Sequence, residues 1–491
     1  MIIKTKQDEL QNYLTDASNY KGSCEAVYIP QNKEELIKIL KEANEQRTKV
    51  TIAGAGTGLT GARVPEEGIV ISTEKLNRIL EINIEEKFAI VEPAVYLSHF
   101  LDELKSFGFF YPPDPTEKNC FIGGTVATNA SGAKTFKYGA TRNFVQELEI
   151  VLADGNEIYL KRGEVSAKGN KLNLRTKSGK EIFIELPEIN LPVTKNASGY
   201  FVKPNMDAID LFIGSEGTLG VFTKIKLKIL PSPERIISMV AFFNKEIDAI
   251  SFVNKAREIS YRTRQDNLSD EIDALALEFF DNNSLKFLSF DFPNIPPKAN
   301  AAVWFEQEVK LSAEDKLIEK WFSLISDYNV DEEKIWFATN ESERKQIEEF
   351  RHAISWKVNE YISRNNFRKL GTDVAVPDNE MKNFYHFLID LMSKSNLDFV
   401  LYGHLGNSHF HLNILPKNEN EFQSGKELYR KICLKAIELK GTVSAEHGIG
   451  KIKTQYLIDM FGEETINKMK AIKQKLDPNY ILGVGNIFKS S

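Results

Sequence analysis

The stretch KVTIAGAGTGLTGARVP, residues 49–65, opens with a short β-branched run and continues into glycines spaced G-x-G-x-x-G from Gly56 to Gly61. After a predicted strand this spacing marks dinucleotide binding, provided that a helix follows the glycines. Here Pro65 follows closely, and GIVIST at 68–73 has the pattern of a second strand. The segment therefore predicts strand, loop and strand in succession, which argues against a Rossmann fold.

Two further glycine-rich segments, 112–143 and 211–231, also adjoin predicted strands. Tight glycine loops bring backbone amides together around an anion, and the missing side chains let a phosphate approach the backbone. Any single loop could be an ordinary turn. As a set, long loops bracketed by strands favour a function, and we expect a long phosphate-bearing ligand lying across the scaffold.

Size, charge and cysteine content restrict the class of protein. The 491 residues exceed what one hydrophobic core usually holds, so at least two domains are expected. The net charge of -6 provides no basic field for nucleic acid, and three scattered cysteines are too few for a disulfide framework. No uninterrupted apolar run reaches the ~18 residues of a membrane helix, and the start lacks a signal-peptide pattern. We expect a soluble cytoplasmic protein, with peripheral attachment at the inner face of the membrane left open.

The histidines are concentrated near the C-terminus, where four of the seven fall within 44 residues. The segment LYGHLGNSHFHLNIL, 401–415, reads as two short strands around turn-forming residues, and we expect a two-residue loop at Asn407 and Ser408. That loop would place His404 opposite His411, with Cβ atoms ~4.5–5.5 Å apart. Two imidazoles at this separation can bind one metal ion.

A carboxylate for the same site is offered by GTVSAEHGIGK, 441–451, where Glu446 precedes His447 in a glycine-flanked loop. A His-His-Glu set leaves coordination positions open, which is typical of a catalytic ion. His447 can then act as a base rather than a ligand. Structurally satisfied histidines are the alternative, but clustering with a carboxylate favours a metal or catalytic site. The role of His409 is left open.

Together these motifs resemble the vanillyl-alcohol-oxidase-type FAD flavoproteins: the glycine loops at 53–61, 123–132 and 214–221, and the segments GHLGNSHFHLN and SAEHGIGK. The closer resemblance is to the branch with a C-terminal FAD-linked oxidase domain, which includes D-lactate dehydrogenases, glycolate oxidase D subunits and D-2-hydroxyglutarate dehydrogenases. It implies an α+β fold in three parts. These are a PCMH-type FAD-binding domain at 1–231, an α+β substrate (cap) domain with an antiparallel sheet and flanking helices at 232–445, and a C-terminal segment at 446–491 that returns to the FAD domain.

The resemblance implies noncovalent FAD, because some relatives tether the flavin through a histidine in or near the first loop and no histidine here precedes His99. The pyrophosphate is expected on the loop at 54–60. The residues implied to hold the cofactor are Gly54, Ala55, Gly56, Thr57, Gly58, Leu59, Thr60, Pro113, Gly123, Gly124, Thr125, Asn129, Ser131, Gly132, Gly139, Glu216, Gly217, Gly220, Val221 and Asn486.

For the chemistry, the resemblance implies His404, His411 and Glu446 as metal ligands, His447 as the base, and Arg351, Ser355 and Asn413 as substrate-binding residues. The ion is expected to be divalent, with zinc first and manganese or iron as alternatives. It would lower the pKa of a bound hydroxyl, the base would accept the proton, and hydride would pass from Cα to flavin N5. The predicted function is FAD-dependent oxidation of a D-2-hydroxy acid, D-lactate or glycolate, to the 2-oxo acid.

One departure from the relatives bears on the substrate. Some relatives carry a lysine two residues before the aspartate of the D-V-A-V-P strand, where this chain has Gly371. A second acidic group on the substrate would then meet no cation at that place. A monocarboxylate is therefore expected.

Besides the hydroxy acid, the resemblance implies an electron acceptor, which is a quinone, a cytochrome or an electron-transfer flavoprotein. A homodimer or an assembly of different subunits is left open. A nonredox relative such as alkyl-dihydroxyacetonephosphate synthase, or a noncatalytic subunit of a glycolate-oxidase-type complex, would bind FAD without oxidising a hydroxy acid alone. A metallohydrolase would instead use the His-His-Glu set to activate water, with the glycine loops as turns.

Overall fold

The structure is a computed structural model that describes residues 1–489. Its strands are β1 (Ile2–Lys4), β2 (Ala26–Ile29), β3 (Val50–Ala53), β4 (Ile69–Ser72), β5 (Ile79–Asn83), β6 (Phe88–Val91), β7 (Phe109–Phe110), β8 (Val145–Val151), β9 (Glu157–Lys161), β10 (Lys171–Arg175), β11 (Glu181–Glu185), β12 (Val221–Lys228), β13 (Leu230–Pro231), β14 (Arg235–Phe243), β15 (Ala276–Asp281), β16 (Ala301–Val309), β17 (Ile335–Phe337), β18 (Leu370–Gly371), β19 (Val374–Ala375), β20 (Phe399–Gly403) and β21 (His409–Ile414). Its helices are α1 (Gln7–Leu10), α2 (Lys33–Gln46), α3 (Leu97–Ser106), α4 (Ile122–Thr128), α5 (Thr135–Tyr138), α6 (Ile209–Phe212), α7 (Glu246–Gln265), α8 (Asn282–Leu288), α9 (Glu314–Ser326), α10 (Glu341–Arg364), α11 (Met381–Ser393), α12 (Glu419–Glu438) and α13 (Thr454–Leu476).

The first sheet, with strand order β1-β2-β4-β3, carries the first glycine loop. Strands β3 and β4 run parallel with Thr51 opposite Val70, and residues 54–68 join them without a helix. This confirms the predicted strand, loop and strand, and it excludes a Rossmann turn. Helix α2 packs Leu36 and Leu40 into the core of this sheet. The sheet thus holds both ends of the loop rigidly.

The second sheet, with strand order β5-β6-β12-β8-β9, is antiparallel and carries the other two glycine segments. The alternating sequence of β12 buries Ile225 and Leu227, while Lys228 is exposed. The 112–143 segment contains helix α4, where the sequence indicated an irregular loop. A Cβ at Gly123 would lie 2.6 Å from Cβ of Pro93, so only glycine lets α4 pack this closely.

The third sheet has eight antiparallel strands, in the order β17-β14-β16-β15-β20-β21-β18, with β19 also pairing with β21. Every residue of β15 is buried because both faces are covered. Leu277 and Phe279 belong to the main core, whereas Phe280 on the other face packs against Phe350 of α10. Glu278 is two residues before Phe280, so its side chain lies on the same face of the strand, toward α10. The third sheet thereby places a carboxylate opposite a long helix.

The C-terminal residues return to the first sheet. Val50 N donates to Ile481 O at 2.7 Å, and Gly483 N donates to Val50 O at 2.8 Å. Lys451 N likewise donates to Thr60 O at 2.9 Å, next to the first glycine loop. The segment after Glu446 is therefore attached to the elements that carry the glycine loops. Among the residues that the structure describes, no helix has the length and apolarity needed to cross a membrane.

Candidate active site

A cavity of about 510 Å³ lies between the glycine loops and the third sheet, within the size range of small-molecule sites. The predicted residues that line it are Gly54, Ala55, Gly56, Thr57, Gly58, Leu59, Thr60, Gly123, Gly124, Thr125, Ser131, Glu216, Gly217, Gly220, Val221, Arg351, Ser355, His404, His411, Glu446 and His447. The glycine turns of the first half and the histidines of the last quarter therefore share one cavity.

Six of the predicted residues lie outside the lining of this cavity: Pro113, Asn129, Gly132, Gly139, Asn413 and Asn486. Asn129 ends helix α4, and its Oδ1 accepts a hydrogen bond from Arg142 N. Asn486 Nδ2 donates to the carbonyl oxygens of Ala62 (2.8 Å) and Glu216 (3.0 Å). Both asparagine side chains therefore hydrogen-bond to backbone groups near the glycine loops, outside the cavity lining.

The backbone of the loops suits a phosphate-bearing ligand. Gly56 has a φ of +87°, a conformation that L side chains rarely adopt. At Gly124 a Cβ would meet nothing within 4 Å, so the backbone faces open space. The main chain at Gly124, in helix α4, is therefore open to a ligand, whereas at Gly56 a Cβ would lie 2.6 Å from Nη1 of Arg63, whose side chain covers that position.

The strands that carry the histidines form a longer connection than the sequence suggested. Strand β20 ends at Gly403, a 3₁₀ turn follows, and β21 begins at His409. The residue paired with His411 is Tyr402, so the expected two-residue loop and the pairing of His404 with His411 were wrong. The ring centroids of His404 and His411 nevertheless lie 5.2 Å apart, because the 3₁₀ turn brings His404 back over β21.

Glu446 is the point on which the imidazoles converge. Nε2 of His411 lies 3.3 Å from Oε1 of Glu446, and Nε2 of His404 lies 3.5 Å from Oε2. These atoms, together with a ring nitrogen of His409, all lie within 4.8 Å of one another. Separations of this size suit donors that share one ion with bonds of ~2.0–2.2 Å. The donor set fits a divalent transition metal.

Hydrogen bonds on the far side of each ring fix the orientation of the imidazoles. Nδ1 of His404 lies 2.7 Å from Oε1 of Glu278, and Nδ1 of His411 lies 3.2 Å from the carbonyl oxygen of Thr372. Carboxylate and carbonyl partners of this kind hold metal-binding histidines in the tautomer that leaves Nε2 free. Burial lowers the pKa of His404, but Glu278 and Glu446 together outweigh it and the pKa is raised.

Lys195 is a buried cation within the same cluster. Its side chain is 3% exposed, and Nζ donates to Oε2 of Glu446 at 2.6 Å. The same ammonium lies 3.3 Å from Nδ1 of His409. Burial raises the pKa of Glu446, but Lys195 and His404 outweigh it, so the pKa is well below its usual range. Glu446 is therefore ionised and available to a cation.

His447 borders the cluster and is the most accessible of its imidazoles, at 24% exposure. Its Nε2 lies 3.4 Å from Oε1 of Glu446, and its Nδ1 lies 3.4 Å from Oδ2 of Asp373. Asp373 also accepts hydrogen bonds from the His447 backbone N–H and from Lys453 Nζ. Burial raises the pKa of Asp373, but His447 and Lys453 outweigh it and hold the pKa well below its usual range. A fixed negative charge thus lies beside the ring.

The predicted substrate arginine is buried on the α10 face. Arg351 is 7% exposed, and it donates to Oε2 of Glu278 (3.2 Å) and to Oγ1 of Thr116 (3.1 Å). A solvated surface arginine is therefore excluded. One turn later, Ser355 donates to the hydroxyl of Tyr402 at 3.4 Å. Both side chains line the cavity on the side of His404.

A second cavity of about 310 Å³ adjoins the first, and it shares Leu59, Lys369, Tyr402, His411 and His447 with it. Asn413 lines the second cavity, and its Oδ1 is buried without a hydrogen-bond partner among residues 1–489. The basic residues in this lining are Arg368, Lys369, Lys426, Lys451 and Lys453, and within the described chain the lining contains no aspartate or glutamate. The second cavity therefore has a positive character.

A cation does lie near residue 371, so the expectation that a second acidic group would meet none there was wrong. A Cβ built on Gly371 would lie 3.0 Å from Cε of Lys369 and 2.4 Å from Oδ1 of Asn413. The Lys369 side chain thus occupies the space next to this position, and its Nζ donates to Oδ1 of Asn359 at 3.1 Å. Burial lowers the pKa of Lys369 to about 8.

Two family descriptions match the chain. "FAD binding domain" matches residues 24–161, and "FAD linked oxidases, C-terminal domain" matches residues 234–487, which is more than half of the chain. The chain belongs to the FAD-linked oxidase family. It is accordingly an FAD-linked oxidoreductase. His404, His411 and Glu446 lie inside the region that matches the C-terminal domain.

Relatives match this FAD-linked oxidase along nearly its whole length. The glycolate oxidase subunit GlcD of Bacillus subtilis (strain 168) is 31% identical over 484 residues, covering 97% of this chain and 92% of that protein. The D-lactate dehydrogenase of Anaerostipes hadrus is 28% identical over 483 residues, with coverages of 95% and 90%. The D-2-hydroxyglutarate dehydrogenase of Stutzerimonas stutzeri (strain A1501) is 26% identical over 498 residues, with coverages of 99% and 96%. These matches confirm the resemblance that the motifs indicated.

A solved structure, of alkyldihydroxyacetonephosphate synthase, has a TM-score of 0.66 to this FAD-linked oxidase. The superposition covers 98% of this chain and 81% of that chain at 14% identity. At this identity the likeness shows the fold alone. It confirms the α+β fold class expected from the sequence.

Four residues that contact the cluster or line the cavities of this FAD-linked oxidase were not predicted from the sequence: Lys195, Glu278, Asp373 and Lys369. Glu278 carried a usable signal, because a charged residue stands inside the apolar run ALALEFFD. Lys195 lies in TKNASGY, which has no pattern that distinguishes it from a solvated loop lysine. Its role follows only from the tertiary contact with Glu446.

Proposed function

We propose that this FAD-linked oxidase is a dehydrogenase of a D-2-hydroxy acid that forms the corresponding 2-oxo acid. The observation that carries the proposal is the shared cavity, in which a His-His-Glu donor set and His447 face the glycine loops. In the proposal FAD lies on those loops, noncovalently, with its pyrophosphate at 54–60. The cavity supports this because residues 54–60 line it, and at Gly54 a Cβ would meet only Cδ2 of Phe121, at 3.9 Å.

Each residue has one role in the proposed reaction. When bound, FAD supplies the hydride acceptor, and a divalent ion at His404, His411 and Glu446 lowers the pKa of the substrate hydroxyl. His447 accepts the hydroxyl proton at Nε2, the ring nitrogen that faces the cluster. Asp373 stabilises the imidazolium that results, because its carboxylate lies 3.4 Å from Nδ1.

Arg351 is proposed to bind the substrate carboxylate, with Ser355 beside it. The guanidinium is already oriented by Glu278 and Thr116, so little side-chain entropy is lost when an anion binds. Glu278 connects this arginine to His404. Arg351 would bind the carboxylate of the hydroxy acid, and His404 would hold the ion that binds its hydroxyl. Both side chains contact Glu278.

D-lactate and glycolate are the first candidate substrates, and their names occur among the relatives. A hydroxy-dicarboxylate is the second candidate, and the position of Lys369 favours it. Lys369 lines both cavities, as do His411 and His447, and the second cavity has a positive lining. A second carboxylate on the substrate would meet this ammonium. A relative named D-2-hydroxyglutarate dehydrogenase is consistent with it.

The remaining parts of the proposal concern organisation and partners. We place the FAD domain at 1–231, the substrate domain at 232–445 and the returning segment at 446–491, which the contacts of Val50 with Ile481 and Gly483 support. Electrons leave to a quinone, a cytochrome or an electron-transfer flavoprotein. A cytoplasmic location, peripheral membrane attachment, and homodimers or assemblies of different subunits are compatible with this scheme.

Anaerobic reduction of the purified flavoprotein tests the proposal. We expect the visible flavin absorption to bleach with one of D-lactate, glycolate, D-malate or D-2-hydroxyglutarate, and not with L-lactate, L-malate or L-2-hydroxyglutarate. Removal of the metal with a chelator should abolish the bleaching, and readdition should restore it. A nonredox relative or a noncatalytic subunit would bind FAD but would not bleach. A colourless protein that hydrolyses its substrate would favour a metallohydrolase.

A further inference from the structure

His409 lies inside the donor cluster and has no role in the proposed reaction. It is fully buried, and its ring centroid lies 4.3 Å from that of His411 and 5.2 Å from that of His404. Nδ1 of His409 lies 4.0 Å from Oε2 of Glu446. The ring thus belongs to the same group of donors as the two histidines already assigned.

The orientation of the His409 ring matches that of the other two. Its Nε2 lies 2.9 Å from Oδ1 of Asp373, just as Nδ1 of His404 contacts Glu278 and Nδ1 of His411 contacts Thr372. In each imidazole one nitrogen is held by an oxygen and the other faces Glu446. A carboxylate behind a histidine is the arrangement that orients metal ligands.

The contact of His409 with Lys195 supports the same conclusion. The Lys195 ammonium lies 3.3 Å from Nδ1 of His409 and 2.6 Å from Oε2 of Glu446. A cation therefore already lies against both groups, which shows that Nδ1 is an acceptor directed at a cationic position. A metal ion bound to both groups would have to displace this ammonium.

We infer that His409 is a fourth protein ligand, so that three imidazoles and one carboxylate hold the ion and Lys195 competes with it. The inference rests on the metal site of the proposed function. Four protein ligands would saturate a tetrahedral ion such as zinc and leave no position for a substrate. An ion that accepts six ligands, such as manganese or iron, would keep two positions, enough for the hydroxyl oxygen and one carboxylate oxygen of a hydroxy acid.

X-ray absorption on the FAD-loaded enzyme tests this inference without turnover. We expect the Mn²⁺-loaded protein to show three imidazoles at the ion, and His409→Asn to show two. Competition with a chelator should show Mn²⁺ affinity reduced at least ~10-fold in His409→Asn, since loss of even an outer partner costs ~10–100-fold. Lys195→Met should bind Mn²⁺ more tightly than the unaltered protein. His386→Asn, on the exposed side of α11, is the matched control.

Two imidazoles in the unaltered enzyme would overturn the inference, as would the same Mn²⁺ affinity in His409→Asn and the control. The imidazole count needs no variant, so a His409→Asn protein that fails to fold does not prevent the test. Failure of the proposed function can be told apart from failure of this inference. An enzyme with three imidazoles that leaves every hydroxy acid unoxidised would retain the ligand set and refute the reaction. An enzyme that binds no metal would refute both.

Discussion

Oε1 of Glu278 lies 2.7 Å from Nδ1 of His404, and both side chains are buried. Arg351 donates to the other oxygen of the same carboxylate. Burial raises the pKa of Glu278, but His404 and Arg351 outweigh it and lower the pKa to about 2. One ionised carboxylate therefore orients both a proposed metal ligand and the proposed substrate clamp.

Replacing Glu278 by glutamine should weaken metal binding although no ligand is removed. The amide preserves the shape of the side chain, but it loses the charge that fixes the tautomer of His404. Metal affinity should fall ~10–100-fold, as for other partners of metal-binding histidines. Chelator competition measures this, with Glu147→Gln in the second sheet as the control. Equal affinities in the two variants would contradict a positioning role.

His447→Gln should remove the proton acceptor and leave binding intact. Loss of a general base typically costs ~10²–10⁴-fold in rate. Stopped-flow anaerobic reduction of the flavin should slow by that factor, while FAD content and metal content are unchanged. His386→Gln, an exposed histidine on α11, should reduce at the normal rate. Bleaching of His447→Gln at the rate of this control would exclude His447 as the base.

Arg351→Met should impair binding of every hydroxy acid. A charge-assisted hydrogen bond contributes ~1.5–3 kcal/mol, so kcat/KM should fall ~10–150-fold, mainly through KM. Arg351→Lys should rescue only part of the loss, because an ammonium cannot reproduce the bidentate geometry. Steady-state kinetics with one substrate compares the variants. Full activity in Arg351→Lys would indicate that a point charge suffices.

Lys369 should discriminate between substrates, and its effect should depend on pH. The ammonium with a pKa near 8 is charged below that pH and loses its charge as the pH rises through it. Affinity for a hydroxy-dicarboxylate should therefore fall above pH ~8, whereas affinity for D-lactate should not follow this titration. In Lys369→Met the KM for the dicarboxylate should rise ~10-fold or more, and its dependence on pH near 8 should disappear. A KM for D-malate and D-2-hydroxyglutarate that is unaffected would exclude Lys369 as the partner of a second carboxylate.

The flavin should be released by acid. The loop at 54–60 contains no histidine or cysteine, and the first histidine of the chain is His99 in α3. His99 is absent from the lining of the large cavity. Acid precipitation should leave a colourless pellet and a yellow supernatant. Flavin retained in the pellet would show a covalent bond.

Local pattern accounts for much of the fold. The β-branched runs around the first glycine loop became β3 and β4. Their periodicities are set by side chains a few residues apart, so they can be read directly. The predicted strand pairing within residues 401–415 was wrong because the turn differs from the expected two-residue loop. A 3₁₀ turn at Leu405–Asn407 replaced the compact loop, and both geometries tolerate the same residues.

For the candidate site, the sequence by itself determined the kinds of group available: histidines close together in the chain, an adjacent Glu446 and His447, and glycine-rich loops. Only the tertiary structure decided which of these groups contact one another and which other side chains contact them. Lys195 contacts Glu446 across 251 residues of chain, and Glu278 contacts His404 across 126. Such contacts depend on which strands become neighbours in a sheet and which faces are buried. No local pattern records them, because the free energy that brings these residues together comes from packing the whole core.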